Sequence, residues 1–206
     1  ETLRHNRREV ELYAERSRLE ASWGIDYVGI RLVVTSRENE AGAYFGMGMK
    51  SGELLADGSV GLYAACEMKN GLLTIKGDAG DFLGAALPGN KQGMKGGTVL
   101  VKGNVGQRAG DHMRRGVMLI EGNAGDYCGS RMIAGTIAVM GSTGRFLGYA
   151  MQRGTILLWK QPQLSATFND CGSHTLAFLP ILFKSFTSFD SKFAKVTCEF
   201  FKYFFT

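Results

Sequence analysis

Hydrophobic residues recur along the middle of this chain with a fixed period. Short segments alternate an apolar, a variable and an apolar position, which is the pattern of a β-strand with one face turned inward. The apolar pairs are Leu54/Ala56, Leu73/Ile75, Val99/Val101, Met118/Ile120, Ile137/Val139 and Ile156/Leu158. Each pair begins five residues after a methionine, and successive methionines are 19 residues apart except for one interval of 26. These methionines are Met49, Met68, Met94, Met113, Met132 and Met151.

Glycines keep the same register as the methionines. One glycine follows three residues after each methionine, and in the first five units two more follow after nine and twelve residues. The chain of 206 residues has 29 glycines but only 3 prolines, a composition that favours tight turns between short strands. A period near 20 with glycines in register predicts a solenoid whose strands pair from coil to coil, with the methionines stacked inside it.

The solenoid is predicted over residues 30–160, as about seven coils of 19 residues. Counting back 19 residues from Met49 places a weak first coil at Ile30, with a strand over 30–34. Residues 1–29 are predicted to form an N-terminal cap, for which a short edge strand near Val10 and a helix over 9–21 both fit. Residues 161–206 are predicted to form a C-terminal cap that contains an amphipathic, phenylalanine-rich helix.

The phenylalanine helix has several possible roles. Phenylalanines at positions 186, 189, 193 and 200 recur at spacings typical of one helix face, with lysines between them. Packing on the open end of the solenoid, docking into a partner protein and binding to a membrane surface are all compatible with this pattern. We take Phe189, Phe193 and Phe200 as candidate partner contacts.

The interval of 26 residues contains an insertion around residues 86–92. Such an insertion leaves the stack of coils intact and projects sideways as a loop, and in solenoids these loops often form the binding face. A surface loop without function fits equally well. Candidate partner contacts here are Leu87, Pro88, Asn90 and Lys91.

Basic residues form a second column. Lys50, Lys69, Lys95 and Arg114 follow the methionines of four successive coils, and Arg115 and Arg153 lie one position further on. Stacked like charges repel each other, so this basic stripe indicates an acidic partner surface or a polyanionic ligand, unless it is only a solvated turn. A net charge of +5 is compatible with an anionic partner but does not by itself indicate nucleic acid.

No usual catalytic or metal-binding motif is present. The chain lacks a nucleophile motif, a phosphate-binding loop and calcium-binding repeats, and its cysteines (66, 128, 171, 198) and histidines (5, 112, 174) lack metal-ligand spacing. The carboxylates Asp78, Asp81, Asp111 and Asp126 fall in or near turn columns, which argues against a catalytic groove. We therefore expect reduced cysteines in a cytoplasmic protein, no metal and no catalytic residue in this chain. The longest apolar run, residues 176–183, is too short to span a bilayer.

Four segments resemble a known family. Residues 77–89 (GDAGDFLGAALPG), 93–99 (GMKGGTV), 113–116 (MRRG) and 129–136 (GSRMIAGT) look like the family of the C subunit of formylmethanofuran dehydrogenase. The nearer likeness is to its methylotroph counterpart, the C subunit of the formyltransferase/hydrolase complex. A more distant likeness is to the GXGXG β-helix domain of the glutamate synthase large subunit. The resemblance covers about residues 30–185.

The resemblance implies an all-β, right-handed parallel β-helix that acts as a non-catalytic scaffold in a cytoplasmic hetero-oligomer of one-carbon metabolism. Such a complex moves a formyl group from tetrahydromethanopterin to a furan-type coenzyme and releases formate. Its partners would be an amidohydrolase-like subunit that holds the metal, a dehydrogenase-like B subunit and a formyltransferase subunit. The acidic glutamyl chains of these coenzymes are a candidate ligand for the basic stripe. A domain related to glutamate synthase and a β-helical enzyme with a side groove are the alternatives.

Overall fold

The computed structural model describes residues 40–164 continuously, together with 9–14, 31–36, 168–169, 172, 177, 179–186, 192–195 and 203–205. The strands are β1 (Glu9–Ala14), β2 (Arg31–Ser36), β3 (Glu40–Ala41), β4 (Glu53–Ala56), β5 (Ser59–Val60), β6 (Leu72–Ile75), β7 (Lys95–Val101), β8 (Arg115–Ile120), β9 (Thr136–Val139), β10 (Thr155–Leu158) and β11 (Tyr203–Phe205). One α-helix, α1 (Leu179–Phe186), and one 3-10 turn (Lys192–Lys195) follow β10 in the described part of the chain.

The strands form a parallel β-helix, as the sequence predicts. One sheet has the order β1-β2-β4-β6-β7-β8-β9-β10-β11, and its neighbours are parallel except for the antiparallel pair β10 and β11. A second line of pairing joins β3 to β5 and continues as single bridges through Ala79, Val105 and Ala124 to Thr143. Each strand pairs with its equivalent in the next coil, and the chain winds through about six turns, where the sequence predicted about seven.

The insertion leaves this register unchanged. Leu73 in β6 faces Val99 in β7, and Val99 faces Met118 in β8. Both contacts join the same column of the repeat, although the first spans the longer interval. The extra residues are therefore accommodated outside the sheet, as predicted.

The interior of the β-helix is filled by the apolar columns. Five methionines of the repeat, from Met49 to Met132, are fully buried, and Met151 is partly buried against the same core. Each methionine packs against a glycine of the next coil, the one that stands three positions after the methionine of that coil. Met94 Cε, for example, lies 2.8 Å from where a Cβ on Gly116 would stand, and the same relation holds for each consecutive pair from Met49–Gly71 to Met132–Gly154. The two columns are thus one packing device.

The first coil departs from the predicted register. Leu32 in β2 faces Leu54 in β4, a separation of 22 residues, whereas Glu40 faces Ser59 at the regular separation of 19. The predicted strand at 30–34 is present as β2, but the count of 19 residues back from Met49 is wrong for its register. The reason is that this coil has three additional residues between β2 and β3.

The ends of the chain also join the main sheet. Of the two forms that fit the N-terminal segment, the structure has a strand, because β1 pairs in parallel with β2. Beyond α1, only residues 192–195 of the predicted phenylalanine helix are described, and they form a 3-10 turn. Phe193 in this turn is fully buried against Leu100, Leu119, Ala138 and Leu157. These four residues lie on the outward face of β7 to β10, so this segment covers the side of the sheet rather than the end of the solenoid.

Candidate functional site

The basic stripe follows one corner of the β-helix. The backbone N–H of Lys69 donates to the carbonyl of Met49 (2.7 Å), and that of Lys95 donates to Met68 (2.7 Å). Arg114 continues the series with a bond to the carbonyl of Met94 (2.8 Å), so the three cations lie in successive coils. The side chains of Lys50, Lys69, Arg114, Arg115 and Arg153 are exposed, and that of Lys95 is half-buried. In the next coil the column changes to Ile133, which ends the continuous run of charge.

Glu67 neutralises part of the stripe and holds the insertion loop. Lys95 Nζ lies 3.5 Å from Glu67 Oε2, and Asn90 Nδ2 donates to Glu67 Oε1. Asn90 also closes a turn by donating its backbone N–H to the carbonyl of Leu87 (2.9 Å). The loop is thus fixed in place by side-chain and backbone bonds.

The base of the insertion loop is bonded to the neighbouring coil. Ala86 N donates to the carbonyl of Asp111 (3.1 Å), and Gly93 N donates to the carbonyl of His112 (2.9 Å). Leu87 turns inward against a small apolar cluster of Met47, Cys66 and Ala85, with Tyr63 and Phe82 beside it. Pro88, Asn90 and Lys91 are exposed. Three of the four predicted contacts in the loop therefore lie on the surface, and Leu87 packs within the chain.

The phenylalanines predicted as partner contacts are placed differently. Phe193 is buried within the chain, so its side chain stabilises the attachment of the C-terminal segment. Phe189 and Phe200 lie outside the described residues. Glu121, which is almost fully buried, accepts a hydrogen bond from the backbone N–H of Lys192 (2.7 Å) and holds the same segment.

A buried polar cluster lies beside the insertion loop and was not identified by the sequence reasoning. Asp111 is only 4% exposed. Its carboxylate accepts bonds from Arg131 Nε (3.0 Å to Oδ1) and Nη2 (2.6 Å to Oδ2), and from Ser130 Oγ (2.6 Å to Oδ1). His112 Nδ1 lies 3.3 Å from Oδ2. We call these four residues the Asp111 cluster.

The other carboxylates in the turns have a structural role. Asp78 Oδ1 accepts the backbone N–H of Asn104 (2.6 Å), and Asp81 Oδ1 accepts that of Gln107 (2.7 Å). Asp126 Oδ1 accepts the backbone N–H of Arg145 in the same way (2.7 Å). Each carboxylate thus satisfies a donor of the next coil, whereas Asp111 binds side chains.

An aromatic ladder borders the same side of the rod. After Tyr44, it occupies the position fourteen residues after each of the first five methionines, with Tyr63, Phe82, Arg108, Tyr127 and Phe146. Tyr63 stacks on Phe82 with ring centres 4.7 Å apart, and Arg108 Cζ lies 4.6 Å from the ring centre of Tyr127. All six residues have a positive φ, which makes the outward turn of the coil. Reading the repeat column by column at this position would have revealed the ladder.

The described cysteines are protected. Cys66 and Cys128 are free and buried, and burial raises the pKa of each thiol to about 12. Such thiols remain protonated and unreactive at neutral pH. No group of three or more metal-ligating side chains occurs among the residues described. Within the same residues, none of the helices has the length and apolar character needed to cross a bilayer.

The fold is similar to that of a protein of known structure. It matches a chain of the formyltransferase/hydrolase complex FhcABCD from Methylorubrum extorquens, solved in complex with methylofuran, with a TM-score of 0.69 and 38% sequence identity. The match covers 81% of this chain and 60% of that chain, so the present sequence spans three fifths of its relative. No protein-family model and no curated protein matches the chain.

Proposed function

We propose that this chain is a non-catalytic scaffold, equivalent to the C subunit, in a formyltransferase/hydrolase complex. The similarity to a chain of the FhcABCD complex carries this proposal, because 38% identity along a shared β-helix is more than a common fold requires. The distant likeness to the glutamate synthase domain then reflects the same repeat architecture.

In this proposal the chemistry belongs to the partner subunits. The complex moves a formyl group from tetrahydromethanopterin to methylofuran and releases formate, through an amidohydrolase-like subunit with its metal, a formyltransferase subunit and a dehydrogenase-like B subunit. The turn carboxylates Asp78, Asp81 and Asp126 support a scaffold role here, because they are bonded to backbone donors of the β-helix. We place the complex in the cytoplasm, where free thiols such as Cys66 and Cys128 remain reduced.

The exposed part of the basic stripe is the proposed contact for a polyanion. Lys50, Lys69, Arg114, Arg115 and Arg153 are exposed on one corner, and a glutamyl chain of the coenzyme or an acidic partner surface would neutralise their mutual repulsion. The exposed tip of the insertion loop, with Pro88, Asn90 and Lys91, is the proposed protein contact beside it.

Purification of the tagged chain from its native cells tests the scaffold role. We expect an amidohydrolase-like and a formyltransferase subunit to co-purify and to be identified by mass spectrometry. Formyl transfer or formate release by the isolated chain would contradict the proposal, as would recovery of the chain without partners.

The stripe has its own test within the isolated complex. Replacing Lys69, Arg114 and Arg115 with glutamine should weaken assembly or coenzyme binding, and the difference from the parent should shrink at high salt. A control with Lys76, Lys102 and Lys160 replaced removes the same charge elsewhere. If both triple variants behave alike, the stripe has no specific role.

A further inference from the structure

We infer that Arg131, held by the Asp111 cluster beside the insertion loop, forms a binding site for an oxyanion, either a carboxylate or a phosphate. This inference rests only on the geometry of the cluster. It stands or falls independently of the proposed scaffold role.

The fold itself does not require the cluster. In the first three coils the position of Asp111 is occupied by Met47, Cys66 and Ala85, which form an apolar cluster, and the β-helix winds regularly there. Removing a carboxylate from water costs roughly several kcal/mol, which only a well-placed cation and further hydrogen bonds can offset. Apolar side chains therefore satisfy this position of the fold, and the fold alone does not explain why Asp111 and Ser130 occupy it in the fourth and fifth coils.

Arg131 is held in a conformation that a long side chain rarely adopts. Its φ is 51°, in the left-handed region, which costs on the order of 1 kcal/mol for a residue other than glycine. The equivalent residues Glu67 (53°), His112 (56°) and Ala150 (54°) have the same φ, so this conformation belongs to the corner of the coil. What distinguishes Arg131 is the pair of bonds from its guanidinium to Asp111, whose carboxylate also accepts a bond from the Ser130 hydroxyl.

The fixed guanidinium has donors to spare. Asp111 accepts from Nε and Nη2, which leaves the Nη1 hydrogens and the outer Nη2 hydrogen of Arg131 without a partner among the described residues. The side chain of Arg131 is 44% exposed, while that of Asp111 is 6% exposed. The buried carboxylate therefore holds one edge of the guanidinium and presents the other to solvent, which is the geometry that binds a planar or tetrahedral oxyanion.

The surroundings favour an anion and leave room for it. In the coil above, the equivalent of Arg131 is Ala150, whose small side chain is exposed. The backbone N–H of Arg131 donates to the carbonyl of Tyr149 in that coil (2.7 Å). In the coil below, His112 is half-buried, and Arg114 and Arg115 follow it with exposed side chains. The insertion loop is bonded to the carbonyls of Asp111 and His112 in that lower coil, and Lys91 is exposed on the loop.

Titration of the folded chain with citrate and with inorganic pyrophosphate tests the site. The arginine side-chain N–H signals are followed by NMR at low salt. We expect the Arg131 signals to shift with saturation in the millimolar range, and those of Arg145 to stay in place. Arg145 is a matched control, because its guanidinium lies 3.6 Å from the half-buried Asp126 but is 72% exposed. A response to citrate alone assigns a carboxylate ligand, and a response to pyrophosphate alone assigns a phosphate ligand.

Variants separate position from charge. Arg131→Gln should weaken binding at least tenfold, and Arg131→Lys should weaken it nearly as much although the charge is kept. Asp111→Asn should also weaken it, because Arg131 loses its bidentate partner, and Arg145→Gln should change it less than twofold. The inference is overturned if neither anion shifts the Arg131 signals of the unmodified protein, or if folded Arg131→Gln binds as well as the parent. The wild-type spectra decide the question even if a variant does not fold.

Discussion

The interlock between methionine and glycine columns predicts the cost of adding a single methyl group. A Cβ on Gly116 would stand 2.8 Å from Met94 Cε and 2.8 Å from the carbonyl oxygen of Gly97. The φ of Gly116 is +101°, a conformation that is costly for alanine. Gly116→Ala therefore combines a backbone penalty with a steric one.

The structure offers a control for each contribution. Gly89 has a φ of +88° and no atom within 4 Å of a new Cβ, so Gly89→Ala carries only the backbone penalty, about 1–2 kcal/mol. The lower conformational entropy of the unfolded alanine variant offsets roughly a few tenths of a kcal/mol of that loss. Overpacking should add about 1–3 kcal/mol in Gly116→Ala, for a total of about 2–4 kcal/mol. Gly135→Ala should fall between the two, because its Cβ would lie 3.0 Å from Met113 Cε and 3.1 Å from the Gly116 oxygen.

Urea unfolding followed by circular dichroism measures these differences. In the Met94→Ala background the contact with Cε is gone, so Gly116→Ala should cost about 1 kcal/mol less than in the parent, and the double-mutant cycle reports that coupling. The contact with the backbone oxygen of Gly97 remains in both. Equal losses for Gly116→Ala and Gly89→Ala, or a cycle without coupling, would refute the interlock.

Three further predictions concern the C-terminal segment, the turns and the buried cysteines. Phe193→Ala should release the C-terminal segment, with a loss of up to about 3–5 kcal/mol from burial and faster proteolysis within residues 179–195. Lys192→Ala keeps the backbone bond to Glu121 and loses only the 3.6 Å ion pair of a largely exposed lysine, so it should cost less and leave the segment attached. Asn104→Ala should cost about 1–2 kcal/mol in urea unfolding, since Asn104 Oδ1 accepts the backbone N–H of Asn123 (2.9 Å), and Ser142→Ala at the end of that ladder should cost less. In a Cys171→Ser/Cys198→Ser variant, Cys66 and Cys128 should resist thiol reagents at pH 8 until the chain unfolds. Because burial raises their folded-state pKa to about 12, their contribution to stability is intact below about pH 9 and declines as the pH rises towards 12.

The repeat could be predicted because a solenoid writes the same physical demand into every coil. Each coil needs an inward-facing strand, a buried methionine and a glycine that faces a methionine. The sequence therefore shows the same residue types at the same positions in several coils, and the environment of each position can be inferred from all of them. Five fully buried methionines, from Met49 to Met132, and the unbroken pairing of Leu73 with Val99 across the insertion confirm that reasoning. The register of β2 could not be obtained in this way, because its coil has a different length and no methionine marks it.

The periodicity of the sequence also could not predict where the C-terminal segment attaches. A stripe of phenylalanines indicates that one face is to be buried but does not identify the surface that buries it. The missing signal was in the strands, where the variable position between the two inward residues is Leu100, Leu119, Ala138 and Leu157 in the last four coils. An apolar outward column on a sheet requires a cover, and Phe193 provides part of it.

The Asp111 cluster shows why departures from a repeat are more informative than the repeat itself. Met47, Cys66 and Ala85 establish that the position accepts an apolar side chain, so an aspartate there is not explained by the fold. The sequence groups Asp111 with the turn carboxylates Asp78, Asp81 and Asp126, and only the three-dimensional structure separates them. The turn carboxylates bind backbone N–H groups of the next coil, as Asp81 does with Gln107, whereas Asp111 binds Arg131 and Ser130 through their side chains. A carboxylate or amide that accepts a backbone N–H stabilises the stacking of two coils, as Asp78 and Asn104 do. Asp111 instead fixes the orientation of an exposed arginine, and that orientation is of use only if the arginine binds a ligand.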